Sequence, residues 1–166
     1  GSVRFDRSNI FGVSTNNKGV PLYSIGAAWS MHKEAFFNMA WVNELKIRTT
    51  FGTSGNVNRS ISALTTINYG STPYYLNGQQ YATIRNAPNP DLRWERIGTL
   101  NMGLDFSIIK NRVNGSVDWY QKWGDDIIST IPYAPQTGFT EFTGNYAKTS
   151  ASGWDIDLHS KNVIGS

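Results

Sequence analysis

The chain has 166 residues, a formal charge of +3, 39% hydrophobic and 13% aromatic residues, and no Cys. The missing Cys excludes a disulfide scaffold and any thiolate zinc site, and the dispersed basic residues form no block of the kind a nucleic-acid backbone requires. No apolar run of about 18 residues occurs, which excludes a transmembrane helix but not a barrel, whose strands are about 9–11 residues long and alternate.

Alternation begins at once. Ser2–Arg7 sets Val3 and Phe5 against Ser2, Arg4 and Asp6, so the chain is expected to be a piece of a longer polypeptide. A second strand is predicted over Pro21–Met31, with Tyr23, Ile25, Ala27 and Trp29 on one face. The link at 32–43 has room for one helical turn. A third strand, Glu44–Thr53, sets Leu45, Ile47, Thr49 and Phe51 against Lys46, Arg48, Thr50 and Gly52. The sixth, Thr149–Lys161, sets Trp154, Ile156 and Leu158 against Asp155, Asp157 and His159. Period-two alternation is the mark of a strand with two unlike faces.

Between these lies the most informative stretch, a hairpin of Arg93–Ile109 and Arg112–Asp125. Trp94, Leu100, Met102, Leu104 and Phe106 share one side with Val113, Val117, Trp119 and Trp123. A turn centred on Lys110-Asn111 pairs residues whose numbers sum to 221. Leu104 then meets Val117, and Gly103 meets Asp118, so both faces stay in register. A polar face carrying Lys46, Arg48, Asp105, Asp118, Asp155 and Asp157 cannot fill a dry core. A transmembrane barrel takes such residues on its inner wall and places the apolar row, Trp154, Ile156 and Leu158 included, against lipid. The rival is a soluble secreted β-sandwich binding module, which needs a partner sheet over its apolar face.

The predicted loops at about 8–20, 54–92 and 125–148 are long and polar, and the links at 32–43 and 109–112 are short. That is the stringing of an outer-membrane barrel, with long extracellular loops and short periplasmic turns. Trp29 and Trp41 flank one short link, and Trp94, Trp119, Tyr120 and Trp123 cluster at the other rim, where amphipathic rings favour an interface. Tyr69, Tyr74, Tyr75 and Tyr81 lie in the 54–92 loop among amides and hydroxyls. They are candidates for stacking on sugar rings, although packing of that loop onto its neighbours carries somewhat more weight.

Nothing in the sequence points to an enzyme. Asp125-Asp126 and Asp155/Asp157 have spacings that any strand offers, whereas glycoside hydrolysis needs two carboxylates held across a cleft. His32 and His159 lack metal-ligand spacing. No phosphate loop or nucleophile elbow occurs, so neither a metal nor a cofactor is expected.

Several segments resemble the SusC/RagA-type TonB-dependent outer-membrane transporters, in order and spacing across nearly the whole chain. These are Val3-Arg4-Phe5-Asp6, Ser24 to Trp29, Leu45 to Gly52 with Ser54-Gly55-Asn56, Asn89-Pro90-Asp91-Leu92-Arg93-Trp94-Glu95, Asn101 to Phe106, Arg112 to Tyr120, and Gly153 to Ile156. The resemblance implies an all-β antiparallel transmembrane barrel of about 22 strands, of which residues 1–166 supply about six from the C-terminal half. It also implies a plug domain and a TonB-contacting segment, both expected outside this chain, and a SusD-like surface lipoprotein as lid. The function implied is active import of oligosaccharides or oligopeptides across a Gram-negative outer membrane. A TonB-dependent siderophore receptor or a passive porin is the alternative. Within the motifs, Pro90 suits a loop entering a strand, Asp91 is expected to cap nearby amides, and Trp94 to enter the lipid rim. Lys46 and Arg48 are expected to meet carboxylates of the plug.

Overall fold

A computed structural model of the protein describes residues 1–7, 19–58, 60–71, 73 and 78–162. Among the described residues eight strands follow one another: β1 Ser2–Arg7, β2 Gly19–Ser30, β3 Val42–Asn56, β4 Thr66–Tyr69, β5 Ala82–Asn86, β6 Glu95–Ile108, β7 Val113–Pro132 and β8 Glu141–Ser160. Six form one antiparallel sheet in the order β1-β2-β3-β6-β7-β8, and β4 pairs with β5 in a separate ribbon. That ribbon is an excursion between two neighbouring strands of the main sheet. Among the described residues no helix is long and apolar enough to cross a membrane, which says nothing of a barrel.

The β6–β7 register follows the alternation. Leu104 opposes Val117, Gly103 opposes Asp118 and Phe106 opposes Gly115, each pair summing to 221. The turn that sets it is a tight one. Ile109, Lys110 and Asn111 have φ of 55°, 53° and 61°, a left-handed region that costs L-residues roughly 1–2 kcal/mol each. Backbone bonds offset that cost: Ile109 N–H donates to the Trp41 carbonyl at 2.8 Å, and Arg112 N–H to the Ile109 carbonyl at 3.1 Å. Asn111 N–H donates to Asn43 Oδ1 at 3.2 Å, so the two short links brace each other. The link after β2 holds a single 3-10 turn, Met31–Lys33.

Alternation carried through these registers sorts the sheet into two faces. Ala27, Thr49, Met102, Trp119 and Trp154 form one cross-sheet row, and Trp29, Ile47, Leu104, Val117 and Ile156 the next. Rings join them sideways: Tyr23 to Phe51 at 5.7 Å between centroids, and Trp119 to Trp154 at 6.5 Å. Ile25, Met102, Trp154, Ile156 and Leu158 are exposed.

The upper border of this apolar face slopes. Its unbroken part ends at Tyr23 on β2, Phe51 on β3, Leu100 on β6, Trp119 on β7 and Trp154 on β8; Trp123 stands above that border, separated from Trp119 by Gln121. Trp154 shares its row with Ala27, four residues beyond Tyr23 (27 − 23), after four strand pairings. At about 3.3 Å of rise per residue and about 4.8 Å between strands, that slope is about 35°, close to the tilt of strands in a closed barrel.

Three expectations are corrected. β7 and β8 are each 20 residues long, so most of the predicted 125–148 loop is ladder, closed by a 3-10 turn at Pro135–Thr137. The 54–92 loop contains β4 and β5 and covers a small buried cluster of Val20, Leu22, Ala63, Leu92 and Trp94. Trp94 therefore does not belong to the exposed apolar row; it is 9% exposed and precedes the first strand residue of β6, where strand alternation does not yet govern direction.

Candidate functional site

The polar face is built by the same registers. Lys46, Asp105, Ser116 and Asp157 form one row, and Arg48, Gly103, Asp118 and Asp155 the next. Gly103 stands directly between Arg48 and Asp118. Lacking a side chain, it lets the Arg48 guanidinium cross β6: a Cβ there would strike both the guanidinium and the Asp118 carboxylate. Arg48 Nε donates to Asp105 at 3.1 and 3.0 Å, and Arg48 Nη2 to Asp118 Oδ2 at 2.8 Å. One guanidinium thus ties three strands.

Arg48 therefore has two carboxylates of its own sheet as partners. Lys46 forms no ion pair within 4 Å among the described residues, and Asp157 pairs with His159 at 2.9 Å. Both partners of each Arg48 pair are about one-third exposed, so each pair contributes up to about 1 kcal/mol. A double-mutant cycle of Arg48→Gln and Asp118→Asn in the full-length protein is expected to give a coupling energy of about 0.5–1 kcal/mol. A coupling of zero would show that the two side chains do not hold each other.

A second cluster lies where the 57–92 excursion returns to the sheet. Asn89 caps it: its Oδ1 accepts from Asp91 N–H at 3.1 Å and its Nδ2 donates to the Thr143 carbonyl at 2.8 Å. The cap is therefore Asn89, not Asp91. Asn145 makes a reciprocal pair with the Arg93 backbone, accepting from its N–H at 3.0 Å and donating to its carbonyl at 2.8 Å. Glu95, 9% exposed, accepts from Asn56 Nδ2 at 2.7 Å and from Ile128 N–H at 2.9 Å. Buried polar groups need such partners.

The outermost part of this cluster is charged. Asp126, at φ 58° within the bulge that interrupts β7 between Gly124 and Ile127, receives both Arg93 and Arg96 at 2.8 Å. Asp125 turns instead toward Lys148 at 3.6 Å. Neighbours in sequence, Asp125 and Asp126 thus serve different cations and do not converge on a cleft.

Of the loop tyrosines, Tyr69 ends β4 and Tyr81 precedes β5, and both are exposed. Gly70 N–H donates to the Tyr81 carbonyl at 2.9 Å, so the ribbon brings these two together. Tyr74 and Tyr75 lie outside the described residues. No group of three or more metal-ligating side chains occurs among the described residues. The Arg96–Asp126 cluster is a feature that sequence reasoning missed; the Asp-Asp pair in a broken alternation is the signal that marks the bulge.

The chain spans 15–17% of the curated relatives it matches. It is 29% identical over 163 residues to TonB-dependent receptor P39 and 32% identical over 167 residues to TonB-dependent receptor P26, both of Formosa agariphila, covering 98% and 96% of this chain. To TonB-dependent receptor SusC of Bacteroides thetaiotaomicron it is 26% identical over 170 residues, covering 98% of this chain. The fold superposes on the RagAB peptide importer in its closed-closed state with a TM-score of 0.78 at 24% identity, over 98% of this chain and 18% of that one. The open-open state gives 0.72 at 28% identity, over 94% and 17%. The six-stranded sheet is thus a segment of such a barrel wall. A family model described as TonB dependent receptor-like, beta-barrel, matches residues 1–163, and the chain belongs to that family.

Proposed function

We propose that residues 1–166 form part of the wall of a closed outer-membrane barrel in a Gram-negative cell. The whole protein is an active, TonB-dependent importer of oligosaccharides or oligopeptides, working with a SusD-like surface lipoprotein. The observation that carries this is the pair of unlike faces on one sheet, with a sloping apolar border on one and the Arg48 cluster on the other. In this reading Leu100, Met102, Leu104, Phe106, Val113, Val117, Trp119, Trp154, Ile156 and Leu158 touch lipid. Lys46, Arg48, Asp105, Asp118, Asp155 and Asp157 line the interior, where Lys46 and Asp155 are available to a plug domain.

The β7–β8 hairpin, twice the length needed to cross a membrane, carries the wall upward into the extracellular vestibule. There Tyr69 and Tyr81 stand exposed to solute. The family consists of transporters and receptors, and the side-chain clusters described above serve structure; no catalytic role is proposed.

The test is uptake by cells carrying the full-length gene. Oligosaccharide or oligopeptide entry is expected to stop when the gene is deleted, and also when TonB is removed with the barrel left intact. A surface lipoprotein is expected to co-purify with the barrel. Uptake that persists without TonB would make the protein a passive pore.

A further inference from the structure

Above the bulge the two faces of the β7–β8 hairpin meet different surroundings. Asp125 and Asp126 both lie on the side of the apolar row, where they meet Lys148 and Arg96. Ile127 returns to the polar side: its side chain and Thr149 Oγ1 both crowd the point where a Cβ on Gly124 would stand. Alternation then leads through Ser129 to Ile131 and Tyr133, and Ile131 opposes Phe142. Tyr146 lies back over Gly144, two residues on from Phe142, where a Cβ would strike its ring. Tyr133, Phe142 and Tyr146 therefore share the side of Asp118 and Asp155, while Ile128 and Asn145 hold the excursion on the other.

The three rings make one continuous strip. Tyr133 stacks on Phe142 at 5.5 Å between centroids, and Phe142 meets Tyr146 at 6.3 Å. Tyr133 and Tyr146 remain 45% and 51% exposed, and neither phenol oxygen has a hydrogen-bond partner among the described residues. Among those residues no charged side chain stands on this side between Gly124 and the tip. Glu141 alternates with Phe142 and Lys148 with Thr149, so both fall on the opposite face.

That composition selects an occupant. The face of an aromatic ring attracts the C–H-rich face of a pyranose, whose hydroxyls stay at the rim. The two phenols can exchange hydrogen bonds with those hydroxyls, whereas a dry protein contact would strand them. An oligopeptide would bring charged termini to a strip that has no counter-charge. We propose that Tyr133, Phe142 and Tyr146 bind an uncharged oligosaccharide, with its sugar rings laid along the strip. The proposal rests on the reading of the whole protein as an importer and selects oligosaccharide over oligopeptide as its cargo.

The experiment uses the full-length protein in mild detergent, titrated calorimetrically with neutral hexasaccharides of glucose, xylose, mannose and galactose, and with hexapeptides as the contrast. At least one hexasaccharide is expected to bind. Tyr133→Ala and Tyr146→Ala are each expected to weaken it about tenfold, the scale of one lost stacked ring, while Tyr146→Phe keeps most of the affinity. Each variant is first shown to be folded by its heat-modifiable migration on a gel. In the wild type, without any substitution, bound sugar is expected to slow amide exchange over residues 131–146. Binding of no hexasaccharide, binding of peptide in its place, wild-type affinity in both alanine variants, or unchanged exchange over 131–146 would overturn the site. Uptake by cells with and without TonB reports the importer reading separately. TonB-dependent uptake alongside any of those failures overturns this proposal alone; uptake that ignores TonB overturns the reading on which it rests.

Discussion

Replacing Leu104 by Arg in the full-length protein is expected to cut the yield of folded, inserted barrel severely. Leu104 lies between Ile47 and Val117 in the middle of the apolar face, two rows below the sloping border. A cation at mid-bilayer on the lipid side of a barrel costs about 2–4 kcal/mol. Its side chain cannot reach the interface from that depth as those of Arg96 or Arg7 can. Folded fraction by heat-modifiable migration, with Thr50→Arg as the matched substitution on the opposite face, is the measurement. Wild-type insertion of Leu104→Arg would show that this face packs against protein rather than lipid.

Leu92→Ala is expected to have the second large effect, and a local one. Leu92 is 1% exposed and packs with Val20, Leu22, Ala63 and Trp94, flanked by Val57, Ile61 and Ile128. Such a truncation costs about 2–5 kcal/mol, more where the cavity cannot collapse. Here the surrounding strands are fixed by the ladder, so little relaxation is available. The loss falls on the 57–92 excursion and not on the barrel ladder. Amide exchange over 89–94 is therefore expected to accelerate at least about 30-fold, while insertion is unchanged. Exchange at the wild-type rate would mean that hydrogen bonds alone hold the segment.

How much of this the sequence discloses depends on where one regular period holds. In β3, β6 and the first half of β7 the alternation largely holds, so the two faces and the β6–β7 register are legible before any coordinates, whereas the β3–β6 register that sets Arg48 beside Asp105 and Asp118 is not. The Lys110-Asn111 turn fixes the pairing because a slip by one residue would put Asp118 among leucines. Beyond Gly124 the pattern fails. The bulge at Asp125-Asp126 shifts the register, placing Ile127 and Ile128 side by side in sequence, and a strand then looks like a loop. Trp94 misleads for a different reason. Its number has the parity of Leu100, but the backbone through Arg93 is not yet a strand, and the ring turns into the cluster around Leu92. The Asn89 cap and the Asn145 exchange with Arg93 join residues more than 50 apart, and no local pattern encodes such a meeting.

The bonds from Asn89 to Thr143, from Arg93 to Asn145 and from Glu95 to Ile128 fasten one excursion to the hairpin beside it. A chimera made by grafting residues 57–92 alone onto another barrel would arrive without its moorings. A folded graft, read by amide protection at residues 89–94, is expected only when both pieces, 57–95 and 126–145, travel as a pair.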